Sequence, residues 1–139
     1  MVKWLTLLGF SLMLAACQPT PPQPLYQRLG GQTGLEQIVD HLLQGIANDP
    51  SIARHFEDTD IANFRRLLIE QLCELSQGPC KYSGVTMQES HTGFQISKAN
   101  FDALVNLLID AMQHQGVSIS AQNELLGMLA PMYKDVVYR

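Results

Sequence analysis

The chain has 139 residues, 46% of them hydrophobic, which suffices for one domain around one core and excludes two. Its formal net charge is −4 and no basic run occurs, so it lacks the electrostatic footprint of a nucleic-acid-binding protein. The single domain is expected from residue 25 to residue 139, behind a leader and a tether.

Met1, Val2 and Lys3 open the chain, an uncharged apolar run from Trp4 to Leu14 follows, and Ala15 and Ala16 precede Cys17. A basic start, an apolar middle and a small-residue cleavage site make residues 1–16 an export signal. The apolar run falls short of the roughly 20 residues a membrane span needs. With a cysteine directly after Leu14, Ala15 and Ala16, the segment resembles a bacterial lipoprotein signal, whose final cysteine is diacylated and becomes the new N-terminus. That resemblance implies lipidation at Cys17 and a lipoprotein facing the periplasm. Gln18 in place of an aspartate points to the outer membrane. A plain secretory signal or an uncleaved anchor, with an incidental Cys17, is the alternative. Residues 17–24 carry Pro19, Pro21, Pro22 and Pro24 among polar residues and read as an extended tether.

Leu25 to Leu29 is a short apolar turn closed by Gly30 and Gly31. Thr33 and Glu36 have the spacing of a capping box, and Leu35, Ile38, Val39, Leu42, Leu43 and Ile46 repeat at three- and four-residue steps until Asn48, Asp49 and Pro50 stop the helix. Ile52 to Phe56 reads as a turn bearing one aromatic, after which Thr59 or Asp60 caps a helix striped by Ile61, Phe64, Leu68, Leu72 and Leu75. Gln77, Gly78 and Pro79 end that helix. Met87 and His91 then stand one turn apart on a short helix that Gly93 stops, an arrangement that presents one imidazole nitrogen with a thioether beneath it. Ser97 caps a long helix from about Lys98 to Gln115, with Phe101, Leu104, Val105, Leu108, Ile109 and Met112 inward and Gly116 at its end. Ser120 opens a last helix that Pro131 interrupts. No alternating strand pattern and no internal repeat occurs, so the expected fold class is all-α.

The order of these elements resembles the truncated haemoglobins of group I, in which four main helices form a two-over-two sandwich around haem. The resemblance covers residues 25–139. It is carried by Leu25, Tyr26, Gly30 and Gly31; Val39 and Asp40 through Asp49 and Pro50; His55 and Phe56 followed by Thr59 and Asp60; Gly78 and Pro79 with Tyr82, Ser83 and Gly84; Met87, His91, Gly93 and Ile96; Phe101 and Asp102; and Leu129, Ala130 and Pro131. It implies haem b as cofactor, a diatomic gas as ligand, His91 as the iron's proximal ligand and Phe56 as the aromatic against the haem face. Met87, Tyr82, Ile96, Phe101 and Leu104 fall on positions lining the haem from the proximal side and its edges. On the distal side the chain departs from the family: Leu43 stands for its usual tyrosine, and Phe64 and Leu68 for positions that often carry a polar group. A distal pocket without a hydrogen-bond donor implies fast oxygen release and easy autoxidation.

His41 lies two residues before Leu43, a rotation of about 200° on a helix, and reads as a surface residue, as do His55 and His114; His55, beside Phe56, is the one able to swing toward the iron. Arg65 and Lys98 stand where haem propionates would find a cation, or are solvated charges. With Cys17 assigned to lipid, Cys73 and Cys80 remain as a pair, and the turn at Gly78 and Pro79 lets the chain fold back to join them in a disulfide; two small buried hydrophobes are the other reading.

Three functions fit this sequence: a lipid-anchored haem protein binding oxygen, nitric oxide or CO; a haem redox enzyme, a nitric oxide dioxygenase or electron-transfer protein served by a periplasmic reductase; or a haem-free helical interaction module. A monomer or weak dimer is expected.

Overall fold

The computed structural model describes residues 23–139. The leader, Cys17 and the tether up to residue 22 lie outside them. Eight α-helices follow in order: α1 (Leu25–Arg28), α2 (Gly31–Asn48), α3 (Pro50–Ala53), α4 (Ile61–Leu75), α5 (Met87–His91), α6 (Lys98–His114), α7 (Ile119–Leu129) and α8 (Tyr133–Val136), with 3₁₀ turns at Arg54–Phe56 and Ala130–Met132. The described residues contain no strand beyond an isolated parallel bridge between Ile96 and Val137.

Helix α2 is the hub. It packs on α4 along one side and on α6 along another, and α1 ties α7 into the same core. Leu35, Ile38, Val39, Leu42 and Ile46 of α2 are buried against Ile69, Leu72 and Cys73 of α4, Leu108, Ala111 and Met112 of α6, and Ala121 and Leu125 of α7. This is the two-over-two arrangement, α2 and α4 crossing α6 and α7. The three- and four-residue steps of apolar residues in the four long helices supply its inner faces.

The cap chemistry differs from the sequence expectation at α2 and α7, and at α4 it selects one of the two residues expected. Helix α2 begins at Gly31 because Gly30 takes φ +92°, which a side chain would resist. Thr33 is therefore already inside the first turn and cannot cap; Gln32 Nε2 donates to Glu36 at 2.7 Å instead. Asp60 rather than Thr59 caps α4, accepting from the Asn63 amide at 3.0 Å. Ser118, two residues ahead of Ser120, caps α7. At the α6 end, Ser97 and Asn100 form a reciprocal capping box, so α6 starts as the sequence indicates. Pro131 does interrupt the last helix, which restarts as α8 after the Ala130–Met132 turn.

The stripe of α4 divides into two faces. Ile69, Leu72 and Cys73 enter the core, whereas Phe64 and Leu68 stay half-buried and Ile61 is 43% exposed. That half-buried face borders a cavity.

Candidate functional site

The cavity has a volume of about 460 Å³, within the range of small-molecule and cofactor pockets. One wall comes from α2, α4 and the Arg54–Phe56 turn: Leu42, Phe56, Phe64 and Leu68. Phe56 and Phe64 meet edge to face at a centroid distance of 5.1 Å, which fixes the angle of the turn against α4. The other wall comes from α5, α6 and the segment between them: Met87, His91, Ile96, Phe101 and Leu104. Tyr82 closes an edge, its hydroxyl donating to the Val85 carbonyl at 2.8 Å, and burial pushes its phenol above the usual value. Nine of the residues singled out from the sequence thus border one space.

Leu43 does not. It borders a separate cavity of about 190 Å³ with Ile46, Ala47 and Ile61. One helical residue is about 100° of rotation, so Leu42 holds the place on the cavity wall that the sequence reading gave to Leu43. The wall stays apolar either way.

His91 is set by its own helix. Thr86 and Glu89 form a capping box that starts α5, and Gly93 ends the following turn at φ +91°. Nδ1 of His91 lies 2.7 Å from the Met87 carbonyl oxygen and 3.0 Å from Ser90 Oγ. A carbonyl only accepts, so Nδ1 carries the proton and Nε2 keeps its lone pair. A backbone acceptor behind the ring is the arrangement that orients a metal-ligating imidazole and raises its basicity.

The approach to α5 is clamped onto α4. Cys73 and Cys80 are joined as a disulfide with Cα atoms 5.7 Å apart. Glu70 accepts from the Ser83 amide at 3.0 Å and hydroxyl at 2.6 Å, and Glu74 from the Tyr82 amide at 3.0 Å and Lys81 Nζ at 3.0 Å. The Ser83 hydroxyl holds the Glu70 carboxyl below the usual range, and the Tyr82 amide does the same for Glu74. The loop between α4 and α5 therefore arrives in a fixed register.

The charged and histidine candidates separate clearly. Arg65 grips Asp40 with two bonds of 2.5 and 2.9 Å, and Lys98 pairs with Asp102 one turn along α6, so neither is a free cation. No lysine or arginine lines the cavity among the described residues. His41 turns outward, 3.3 Å from Asp110 and stacked on His114 at 4.1 Å. His55 borders the cavity, and its Nε2 is buried without a hydrogen-bond partner among the described residues.

Leu42, Met132 and Val136, legible from the sequence only as apolar helix positions, also stand on the cavity wall, as does Gln71. Gln71 follows Phe64 by seven residues, two turns on one face, and that spacing is legible; its amide rests on the Met87 sulfur at 3.2 Å. Met132 and Val136 arrive from beyond the Pro131 interruption; the sequence marks them as apolar surface of the last helix, and only the packing brings them to the cavity. Phe94 and Val85 also border the cavity while 50% and 56% exposed, so an apolar occupant would cover them. A largely apolar space bordered by an imidazole that its own helix orients, that of His91, fits a haem, the group the resemblance implies.

Comparison with known proteins agrees with this geometry. A family model described as bacterial-like globin matches residues 24–138. A group 1 truncated hemoglobin of Nostoc sp. (strain MUN 8820) is 39% identical over 94 residues, covering 68% of this chain and 80% of the relative. One from Mycolicibacterium paratuberculosis is 27% identical over 124 residues, 89% of this chain and 91% of the relative. The solved structure of truncated hemoglobin from Tetrahymena pyriformis in its Fe(III) form superimposes with a TM-score of 0.81 at 26% identity, over 84% of this chain and all of that one.

Proposed function

Because the chain belongs to the bacterial-like globin family, as a group 1 truncated haemoglobin, we propose that it holds haem b in this cavity through His91 and binds a diatomic gas there. The observation that carries the reading is the 2.7 Å bond from His91 Nδ1 to the Met87 carbonyl at the border of an apolar cavity. It leaves Nε2 as a nitrogen lone pair on a ring oriented from behind, the kind of ligand that haem iron takes from a globin. When bound, the haem supplies the iron coordination position at which oxygen, nitric oxide or CO is taken up.

The residues of this chain do the rest. Phe56 and Phe64, packed edge to face on the cavity wall, would keep water from a bound haem. Leu42, Phe64 and Leu68 carry no hydrogen-bond donor, and the Gln71 amide that borders the same cavity is engaged by the Met87 sulfur at 3.2 Å, an arrangement that favours ligand release over long retention. The disulfide and the two glutamates hold the loop entering α5, so the reach of His91 into the cavity does not drift. We further read Cys17 as the lipidated N-terminus of an exported, outer-membrane-anchored domain; its support is the leader sequence. No described helix is long and apolar enough to cross a membrane.

The test is spectroscopic. Purified protein mixed with haem is expected to give a sharp Soret band that shifts with CO, and His91→Ala to abolish both. A band and ligand shift unchanged in His91→Ala would end the assignment. For the anchor, Cys17→Ser is expected to move the protein from the membrane fraction to the soluble one.

A further inference from the structure

His91 sits on a five-residue helix, α5. Such a helix is too short to be stable by itself, so what holds its two ends decides where the imidazole lies. The N-terminal end is held by the Thr86–Glu89 capping box and by the clamped loop before it. Directly after His91 the chain makes only local bonds, Thr92 Oγ1 donating to the Gln88 carbonyl at 2.6 Å and the Phe94 amide to the His91 carbonyl at 3.2 Å.

The next anchor comes from the far end of the sequence. The Gln95 amide and Gln95 Nε2 both donate to the Arg139 carbonyl, at 3.1 and 3.2 Å, and the Tyr138 amide donates to the Ile96 carbonyl at 2.9 Å. Ile96 and Val137 form the parallel bridge. Arg139 Nε donates back to the Lys134 carbonyl at 2.7 Å, which ties the pairing to α8. Gln95 at φ +50° and Tyr138 at φ +56° both occupy the left-handed region that side chains avoid. Strained backbone of this kind persists where its surroundings over-determine it, and it clusters at sites where exact placement matters.

We propose that Val137–Arg139 is a strap that positions His91, so that these three residues set the bond between Nε2 and the haem iron. The strap touches neither iron nor gas. It fixes Gln95 and Ile96, and Ile96 lines the cavity four residues from Thr92. The inference rests on His91 being the axial ligand.

The test uses the full chain loaded with haem, reduced and free of gas, and reads the iron–histidine stretching band by resonance Raman. Tyr138→Pro removes the amide donor and locks φ near −65°. It is expected to shift or broaden that band and to speed haem release about 10-fold, the scale of lost outer-shell support. Tyr138→Gly keeps the amide and accepts positive φ, so its band should match the unmodified protein. In the haem-free protein, Tyr138→Pro should speed amide exchange at Gln95 while core amides stay protected. If Tyr138→Pro does not fold, Gln95→Ala, which deletes only the side-chain donor, should shift the band in the same direction by less.

A merely structural effect is separated by His91→Gly supplied with free imidazole, where the axial ligand is detached from the backbone. There Tyr138→Pro should leave the iron–imidazole band in place. A band unmoved by both Tyr138→Pro and Gln95→Ala, or moved equally with free imidazole, overturns the strap. Absence of any iron–histidine band in the unmodified protein overturns the assignment of His91 instead.

Discussion

Reducing the Cys73–Cys80 bond is the perturbation that most directly tests how the approach to His91 is held. The two cysteines are separated by 7 in sequence, so the bond closes a loop of about eight residues. In the chain-entropy account, that closure removes about 8 cal/mol/K from the unfolded ensemble, or about 2.5 kcal/mol at room temperature. Against a total stability of roughly 5–15 kcal/mol, this is a large share. It corresponds to a fall of roughly 1–2 M in the urea midpoint, or of about 10 °C in melting temperature. The assay is urea unfolding of haem-free protein followed by circular dichroism, with and without reductant, alongside thiol counting under denaturation. A Cys73→Ala/Cys80→Ala variant should not respond to reductant. It should also be less stable than the reduced protein, because Cys73 is fully buried and its sulfur fills the core. Complete reduction by thiol count with a midpoint that moves by less than roughly 0.3 M would refute this role of the disulfide.

Three further outcomes follow from the same geometry. Leu42→Tyr, measured by stopped-flow oxygen release from the haem-loaded protein, should slow release roughly 10- to 100-fold, the worth of one hydrogen bond to a charged acceptor; Leu43→Tyr should change it little, and the reverse order would refute the assignment of Leu42 to the cavity wall. Gly78→Ala should lower the urea midpoint by an amount equivalent to roughly 1–3 kcal/mol, because a Cβ there would stand 2.6 Å from Cys73 Sγ and from the Tyr26 ring. Glu70 and Glu74 have folded pKa values below their ordinary 4.5, so their contribution is complete above pH 4.5 and is lost as the pH falls through the lower folded values. Glu70→Gln/Glu74→Gln should therefore be less stable than the unmodified protein above pH 4.5 and show a shallower acid limb in urea midpoints; parallel acid limbs would refute the clamp.

Much of this protein is written locally. The apolar steps of Leu35, Ile38, Val39, Leu42 and Ile46, and those of Phe101, Leu104 and Leu108, fix amphipathic helices because the repeat of the side chains matches 3.6 residues per turn. Ser97 and Pro131 mark helix boundaries since a hydroxyl cap and a missing amide act within one turn. The Met87–His91 spacing is equally local, and it placed His91 and its carbonyl acceptor together. Gln71, two turns from Phe64, was visible by the same rule.

What tertiary structure decided depends on contacts between segments far apart in the chain. Whether Leu42 or Leu43 faces the cavity turns on about 100° of helix rotation, which the packing of α2 against α4 and α6 sets and which an apolar run does not distinguish. Arg65 looks like a free cation in sequence and is occupied by Asp40, 25 residues earlier. Glu70 and Glu74 look like solvent-facing charges and become the clamp on Tyr82 and Ser83 only because the chain turns back at Gly78. The pairing of Gln95 and Ile96 with Tyr138 and Arg139 spans more than 40 residues and follows no spacing rule. Local periodicity fixes which residues share a face; which face lines the cavity, and what holds it there, is fixed only when the helices close on one another.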